Sequence, residues 1–201
     1  MYRPPFEKLE GTDLKELLKI IKQTKTKMHR LQRKMENPNY KYCEKCCPRD
    51  LTIYKCDRYF LDMAIVRYIF LGGKYEYTSK ELKDIEFNDK LDDIIKITFM
   101  ERSFFEVGDK IEIELFGEEV KYKGYGDERV FIRDKNSLIK ELKELHLGEW
   151  EEYYTPTKFG VEVLDGNTWN LELYFKDGSK KTFGGENAYP YNYEDLIEIT
   201  Q

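Results

Sequence analysis

Four cysteines lie close together in the first third of the chain, which has 201 residues. Cys43 and Cys46 have the Cys-x-x-Cys spacing that lets two thiolates bind one tetrahedral zinc ion. Cys56 or His29 would have to complete such a site, because the adjacent Cys47 is poorly placed to point at the same metal. The sequence has no second Cys-x-x-Cys pair, so ordinary thiols and a Cys43–Cys46 redox disulfide remain alternatives to zinc.

A second set of residues has the types found in metal-dependent nucleases. Glu119 and Lys121 form a Glu-x-Lys motif on a predicted strand, and Asp109 lies one predicted strand earlier. An acid followed by Glu-x-Lys can bind Mg²⁺ through carboxylate oxygens and position an attacking water. The alternative is that these charges, with Glu112 and Glu114, form cross-strand pairs on the solvent face of a hairpin.

Motifs of the common enzyme classes are absent from the sequence. It has no Gly-x-Ser-x-Gly, no Gly-x-x-x-x-Gly-Lys, no His-Glu-x-x-His and no dinucleotide fingerprint. Of the two histidines, His146 lies at a predicted helix end, where we expect a local hydrogen bond rather than acid–base chemistry. These absences favour a binding function.

Aromatic residues are concentrated near the C-terminus, with eleven in the segment 150–193. Four of them fall in predicted loops: Tyr153, Tyr154, Tyr189 and Tyr191. Tyrosine offers a large contact area at low entropic cost, so these four are candidates for an exposed patch that binds another protein. The alternative is that they seal the rim of a small sheet.

The elements that would position these residues begin with a basic amphipathic helix over about 13–36, with Thr12 as its predicted N-cap. Its apolar positions follow a heptad pattern that only Thr24 interrupts: Leu14, Leu17, Ile21, Met28, Leu31 and Met35. Its basic residues include three candidate binding residues, Lys22, Arg30 and Arg33.

Three uses of this helix remain open. Its apolar face can dock on the rest of the chain, or pair with a second copy through the 14–35 heptad face. Its basic face can contact nucleic acid through residues 12–36. Residues 1–60 carry 15 Lys or Arg against 8 Asp or Glu, whereas residues 61–201 carry 19 against 31. This asymmetry indicates either an acidic partner or contact with the acidic remainder of the chain.

The hydrophobic period changes along the chain. A second helix is predicted over 57–71, and Thr78 and Glu81 form a capping box that opens a third. From Ile94 the period becomes two, which predicts strands with one solvated face, the last of them near 130–132. A helix over 136–147, a hairpin and a last helix capped by Asn192 are predicted to follow. The predicted fold class is α+β, in which a helical N-terminal arm precedes an antiparallel sheet covered by helices.

Domain boundaries and location follow from composition. We predict a basic, cysteine-containing segment over 1–75 and an α+β domain over 76–201. The first ten residues lack the apolar core of a signal peptide, and no stretch approaches the twenty or so apolar residues of a membrane span. The expected location is therefore the cytoplasm, without membrane contact.

Three C-terminal segments read LHLGEW at 145–150, VLDGNTW at 163–169 and GENAYPYNY at 185–193. Together they resemble a family of uncharacterised bacterial domains, mostly from Gram-positive anaerobes that include gut species. Residues 31–40 and the cysteines after them look like the front end of the family's longer members. The resemblance implies an intact domain from a bacterial or mobile-element source. Since the family has no established activity, it assigns no catalytic residue.

The sequence therefore favours a non-catalytic binding or adaptor protein whose contacts come from the aromatic loops and the basic helix. One alternative is a metal-dependent, nuclease-like enzyme that uses Asp109, Glu119 and Lys121. The other is a nucleic-acid-binding protein that uses the basic helix without catalysis.

Overall fold

The structure is a computed structural model that describes most of the chain. The described residues are 6–41, 49–103, 109–116, 119–123, 133–163 and 166–200. Packing divides the chain into two compact units, Met1–Glu76 and Tyr77–Gln201. None of the helices in the described ranges has both the length and the apolar composition needed to cross a bilayer.

The first unit is built on two packed α-helices, α1 (Leu14–Met35) and α2 (Asp50–Phe70). The N-cap of α1 is Asp13 rather than the predicted Thr12, and its carboxylate accepts a hydrogen bond from the Glu16 N–H at 2.8 Å. An aspartate is favoured there because its charge also complements the helix dipole. The second helix begins at residue 50, well before the predicted residue 57.

The heptad face of α1 packs within this unit. Its central positions are buried: Leu17, Ile21, Thr24 and Met28. Lys27 Nζ lies 2.7 Å from Asp57 Oδ2 of α2, and Asp57 is itself buried. Docking of α1 within the chain, one of its three predicted uses, is therefore present in the first unit, and pairing of the 14–35 face with a second copy stays a prediction.

The second unit contains a seven-stranded sheet in its described residues. Its strands are β1 (Ile94–Arg102), β2 (Asp109–Phe116), β3 (Glu119–Lys123), β4 (Arg133–Asp134), β5 (Tyr153–Tyr154), β6 (Thr168–Phe175) and β7 (Lys180–Glu186). The spatial order is β4-β3-β2-β1-β6-β7-β5, antiparallel throughout except for the short parallel β5–β7 pair. The predicted α+β class is confirmed. The strand predicted near 130–132 lies outside the described residues.

Three α-helices complete this unit among the described residues: α3 (Ser79–Lys90), α4 (Lys135–Glu144) and α5 (Tyr193–Thr200). The capping box predicted from Thr78 and Glu81 opens α3. Side chains of α4 and α5 join the inward residues of the sheet in one core, in which Leu142, Leu171 and Leu196 are fully buried.

The opposite face of the sheet carries charge pairs, as the two-residue alternation predicts. Lys110 Nζ lies 2.7 Å from a Glu112 carboxylate oxygen, and Lys96 Nζ of the neighbouring strand lies 3.2 Å from the same atom. On the other side of β1, Lys180 Nζ lies 2.8 Å from Glu172. The Lys110–Glu112 pair lies within β2, whereas Lys96–Glu112 and Lys180–Glu172 join neighbouring strands. Cross-strand pairs of this kind each stabilise a sheet by about 0.2–1 kcal/mol.

This charged face makes stability depend on pH. Lys110 and Lys96 hold the pKa of Glu112 below its ordinary value of 4.5. A carboxyl whose pKa is lowered by folding stabilises the fold above the ordinary pKa, and that contribution is lost as pH falls through the lowered value. We therefore expect Glu112→Gln to destabilise the protein by about 0.5–1 kcal/mol at pH 7, with the difference from wild type shrinking in acid. Urea unfolding between pH 7 and pH 3 measures it.

The exposed Glu162, outside the sheet, provides the control for this experiment. Glu162→Gln should leave the free energy of unfolding unchanged at pH 7. A constant difference between Glu112→Gln and wild type across the pH range would contradict the ion-pair explanation.

The three C-terminal segments 145–150, 163–169 and 185–193 meet in the core of this unit. Trp150 Nε1 donates to Asn192 Oδ1 at 3.1 Å, and Asn192 Nδ2 donates to the Leu145 carbonyl at 2.9 Å. Trp169 Nε1 donates to the Ala188 carbonyl at 2.9 Å. The side chain of Asn192 thus bridges two segments instead of capping α5, which corrects the prediction for that residue.

Candidate functional site

The cysteine candidates are only partly covered by the structure. Cys43 and Cys46 lie outside the described residues, so the geometry of the proposed zinc site is not defined. Cys56 is a half-buried thiol on α2 and forms no disulfide within the described chain. The zinc hypothesis for these residues stays a prediction.

The structure does not bring the nuclease-like residues together. Asp109 pairs with Glu101 at one end of β2, whereas Glu119 pairs with Phe116 at the other end. A strand rises about 3.3 Å per residue, so the two backbone positions lie roughly 20 Å apart. A Mg²⁺ ion binds its oxygen ligands at about 2 Å, so these two backbone positions are too far apart for a shared ion. Lys121 pairs with Glu114 across the β2–β3 ladder, in the middle of the hairpin.

The loop tyrosines are mostly buried. Tyr154 and Tyr191 are 5% and 7% exposed, and Tyr189 is half-buried. Tyr154 packs against Trp169, with the two ring centroids 5.9 Å apart. We call the rings around Trp169, which include Tyr154, Tyr189 and Tyr193, the aromatic cluster. Only Tyr153 of the four is exposed, at 59%. Three of the four tyrosines therefore seal the rim of the sheet and do not form an exposed recognition patch.

The aromatic cluster also contains phenols that remain protonated. Burial raises the pKa of Tyr193 far above its ordinary value, and the nearby Glu101 carboxylate raises it further. Burial likewise raises the pKa of Tyr189, with a smaller contribution from the same carboxylate. Because neither phenol ionises in the physiological range, the cluster is an apolar core element rather than a source of acid–base groups.

Two of the predicted binding cations line a groove along α1. The groove has a volume of about 590 Å³ and is formed by Lys22, Gln23, Thr26, Lys27, Arg30, Leu31 and Lys34. Lys27 and Lys34 are paired with Asp57 and Asp50 of α2. Lys22 and Arg30 are exposed, as is Arg33 on the same helix. These three cations are therefore accessible to solvent.

The outward face of α2 carries a stripe of exposed apolar side chains. Tyr59, Met63, Val66 and Phe70 are 60%, 42%, 61% and 77% exposed, respectively. Their spacing of i, i+4, i+7 and i+11 places them in one row along the helix. The exposed Ile69 extends this row. We call these five residues the α2 apolar face.

A cluster of possible metal ligands lies in the second unit. Asp84 of α3, together with His146 and Glu149 from the turn after α4, places three ligand atoms within 4.8 Å of one another. His146 Nδ1 lies 2.7 Å from Asp84 Oδ2. Asp84 and Glu149 are only 6% and 9% exposed. His146 makes a hydrogen bond, as expected, but its partner is not local in sequence. The Asp84 carboxylate lies 62 residues before it.

Neither a protein-family model, nor a curated protein, nor a solved structure matches the chain. The candidate sites are therefore defined by the geometry of the chain itself.

Two of these features escaped the sequence analysis for different reasons. Apolar residues are distributed around all sides of α2, so hydrophobic periodicity could not separate its inward residues from the α2 apolar face. The triad of Asp84, His146 and Glu149 depends on the packing of α3 against the 3₁₀ helix Leu147–Glu149, which local patterns do not encode. The sequence signal for this triad was the short spacing of His146 and Glu149 with a glycine between them, because a tight turn brings two such side chains together.

Proposed function

We propose that the protein is a non-catalytic adaptor whose first unit binds an acidic partner protein through the α2 apolar face. The exposure of this face carries the proposal. Monomeric soluble proteins seldom expose large contiguous apolar patches, and such patches often mark interfaces. Large side chains at i, i+4, i+7 and i+11 form the pattern by which helices anchor in grooves of their partners.

Charge supports an acidic partner. Residues 1–76 carry 17 Lys or Arg against 10 Asp or Glu. The exposed cations Lys22, Arg30 and Arg33 of α1 belong to the same unit as the α2 apolar face. Opposite charge on a partner steers its association with such a unit and selects partners. The partner that fits this chemistry presents apolar side chains together with Asp and Glu.

A nucleic-acid partner explains less of the surface. Phosphate contacts require cations, and two of the four cations in the α1 groove are engaged by Asp50 and Asp57. A partner bound through its phosphates would also make no use of the α2 apolar face. Observed binding to nucleic acid through the α1 cations would therefore replace this proposal.

The α2 apolar face gives the first functional prediction. The double variant Val66→Glu, Phe70→Glu should weaken binding of the partner at least 100-fold, because carboxylates would replace apolar anchors and repel an acidic surface. Both residues are exposed, so the expected change in folding stability is about 0.5 kcal/mol or less per site. The measurement is affinity capture from an extract, followed by titration of the captured protein against each variant.

The matched control is Val163→Glu, which puts the same charge at an exposed apolar residue of the second unit. The proposal requires a captured protein that is acidic, is retained by the control and is lost by the double variant. Anisotropy with a fluorescent 20-nucleotide DNA tests the alternative. DNA binding that Lys22→Gln, Arg30→Gln abolishes, and that Val66→Glu, Phe70→Glu leaves intact, would overturn the proposal in favour of nucleic acid.

A further inference from the structure

We propose that Asp84, His146 and Glu149 bind one divalent transition-metal ion, of the zinc or manganese class, in the second unit. Their ligand atoms already lie within 4.8 Å of one another. Ligands of a tetrahedral ion with bonds of about 2.1 Å are separated by about 3.4 Å. Small side-chain rotations therefore bring the three atoms onto one ion, with His146 Nδ1 moving off the Asp84 oxygen that it now faces at 2.7 Å.

The ligand types select the class of ion. One imidazole nitrogen with two carboxylate oxygens suits zinc, manganese or ferrous iron better than Mg²⁺ or Ca²⁺, which prefer oxygen alone. Zinc should bind more tightly than manganese, since affinities of such sites follow the Irving–Williams order. Three protein ligands leave at least one coordination position for water.

Electrostatics favour a cation at this place. Asp84 and Glu149 are both more than nine-tenths buried, and their carboxylates converge within 4.8 Å. Two carboxylates that close repel each other, and the repulsion grows as water is removed. A divalent ion between them would offset both negative charges.

The backbone holds two of the ligands in a fixed turn. His146 has a left-handed backbone conformation with φ of +52°, and the 3₁₀ helix Leu147–Glu149 follows directly. Gly148 lets this helix approach α3 so closely that an added Cβ would lie 2.4 Å from the Asp84 Cα. Close packing of the turn against α3 thus fixes the backbone positions from which the three ligand side chains extend.

The proposed metal site shares no residue with the predicted cysteine site. The four cysteines belong to the first unit by sequence, whereas the triad belongs to the second. The triad also shares no residue with the α2 apolar face, so it does not depend on the proposed function. Metal binding there would tie α3 to the turn after α4.

The experiment uses the full-length chain with its cysteines replaced by serine, which removes competing thiolates. After treatment with a chelator it is titrated calorimetrically with ZnCl₂ and, separately, with MnCl₂, with Mn²⁺ binding also followed by electron paramagnetic resonance. We expect one ion per chain. Asp84→Asn, His146→Gln and Glu149→Gln should each raise the Kd at least 10-fold. The metal should raise the melting temperature of the parent but not of the variants.

The matched control is Asp92→Asn, at an exposed carboxylate of the same unit that pairs with Lys143. It should bind metal with the parent's affinity. His146→Gln and Glu149→Gln keep the test valid if Asp84→Asn does not fold. Absence of saturable binding in the cysteine-free chain would overturn the proposal, and so would binding that the triad substitutions leave unchanged.

Discussion

Replacing Gly148 by alanine is expected to lower the free energy of unfolding of the second unit by about 3 kcal/mol, near the upper end for overpacked cores. The new Cβ would lie 2.4 Å from the Asp84 Cα and 2.6 Å from the Lys83 carbonyl oxygen. Both atoms belong to the backbone of α3, so no side-chain rotation can relieve the contact. Either α3 or the 3₁₀ helix Leu147–Glu149 must move away from the other.

Tryptophan fluorescence measures this prediction selectively, because Trp150 and Trp169 are the only tryptophans and both lie in the second unit. The control is Gly178→Ala, where φ is +80° and an added Cβ meets nothing within 4 Å. Its cost should be about 1 kcal/mol, from the left-handed backbone conformation alone. A Gly148→Ala variant as stable as Gly178→Ala would show that α3 does not approach the turn so closely.

The same substitution links folding to the proposed metal site. Separating α3 from the turn carries Asp84 away from His146 and Glu149. Gly148→Ala should therefore weaken metal binding even though it changes no ligand. Unchanged metal affinity in a destabilised Gly148→Ala variant would place the ion elsewhere.

Local periodicity was sufficient to predict the longer strands of the second unit. The alternation of Ile97 and Phe99 with Lys96 and Thr98 predicted a strand, and the structure buries Ile97 and Phe99 in β1. The prediction works because a sheet with helices on one face and water on the other imposes the same two-residue period on its strands. Two residues of β1 depart from the predicted alternation: Thr98 is buried, and Ile95, predicted to face inward with Ile97 and Phe99, is 40% exposed beside a register shift in the β1–β6 pairing.

Positions that depend on register could not be predicted in this way. Asp109 and Glu119 lie on consecutive strands, which made a shared site plausible from sequence. In an antiparallel hairpin, however, the residue nearest the turn on one strand faces the residue nearest the turn on the other. Asp109 is at the far end of β2 and Glu119 is beside the turn, so the two are separated by the length of the strand.

Burial of the tyrosines was ambiguous for another physical reason. Tyr154 lies in a two-residue strand that pairs in parallel with β7 at the sheet edge. So short a strand has no periodicity to read, and parallel pairing joins residues that are distant in sequence. Which side of such a segment faces the core is decided by its partner, here Gly185, which leaves room for the Trp169 ring.

Substituting alanine for Asn192 is expected to destabilise the second unit by about 3 kcal/mol, because it leaves two buried polar groups without partners. Asn192 is 2% exposed, and its amide serves both the Trp150 indole N–H and the Leu145 carbonyl. Loss of a single buried partner costs about 1–3 kcal/mol in comparable cases. Urea unfolding followed by tryptophan fluorescence measures the change, with the exposed Asn136→Ala as control.

A double-mutant cycle separates the hydrogen bond from the packing of the asparagine. Trp150→Phe removes the indole N–H, so Asn192→Ala should cost about 1 kcal/mol less in that background than in wild type. Additive effects of the two substitutions would mean that the Trp150–Asn192 hydrogen bond contributes nothing. A coupling of the expected size would instead show that this hydrogen bond joins segments 145–150 and 185–193. They form a structural bridge through the core of the unit, which holds the turn with His146 and Glu149 in place.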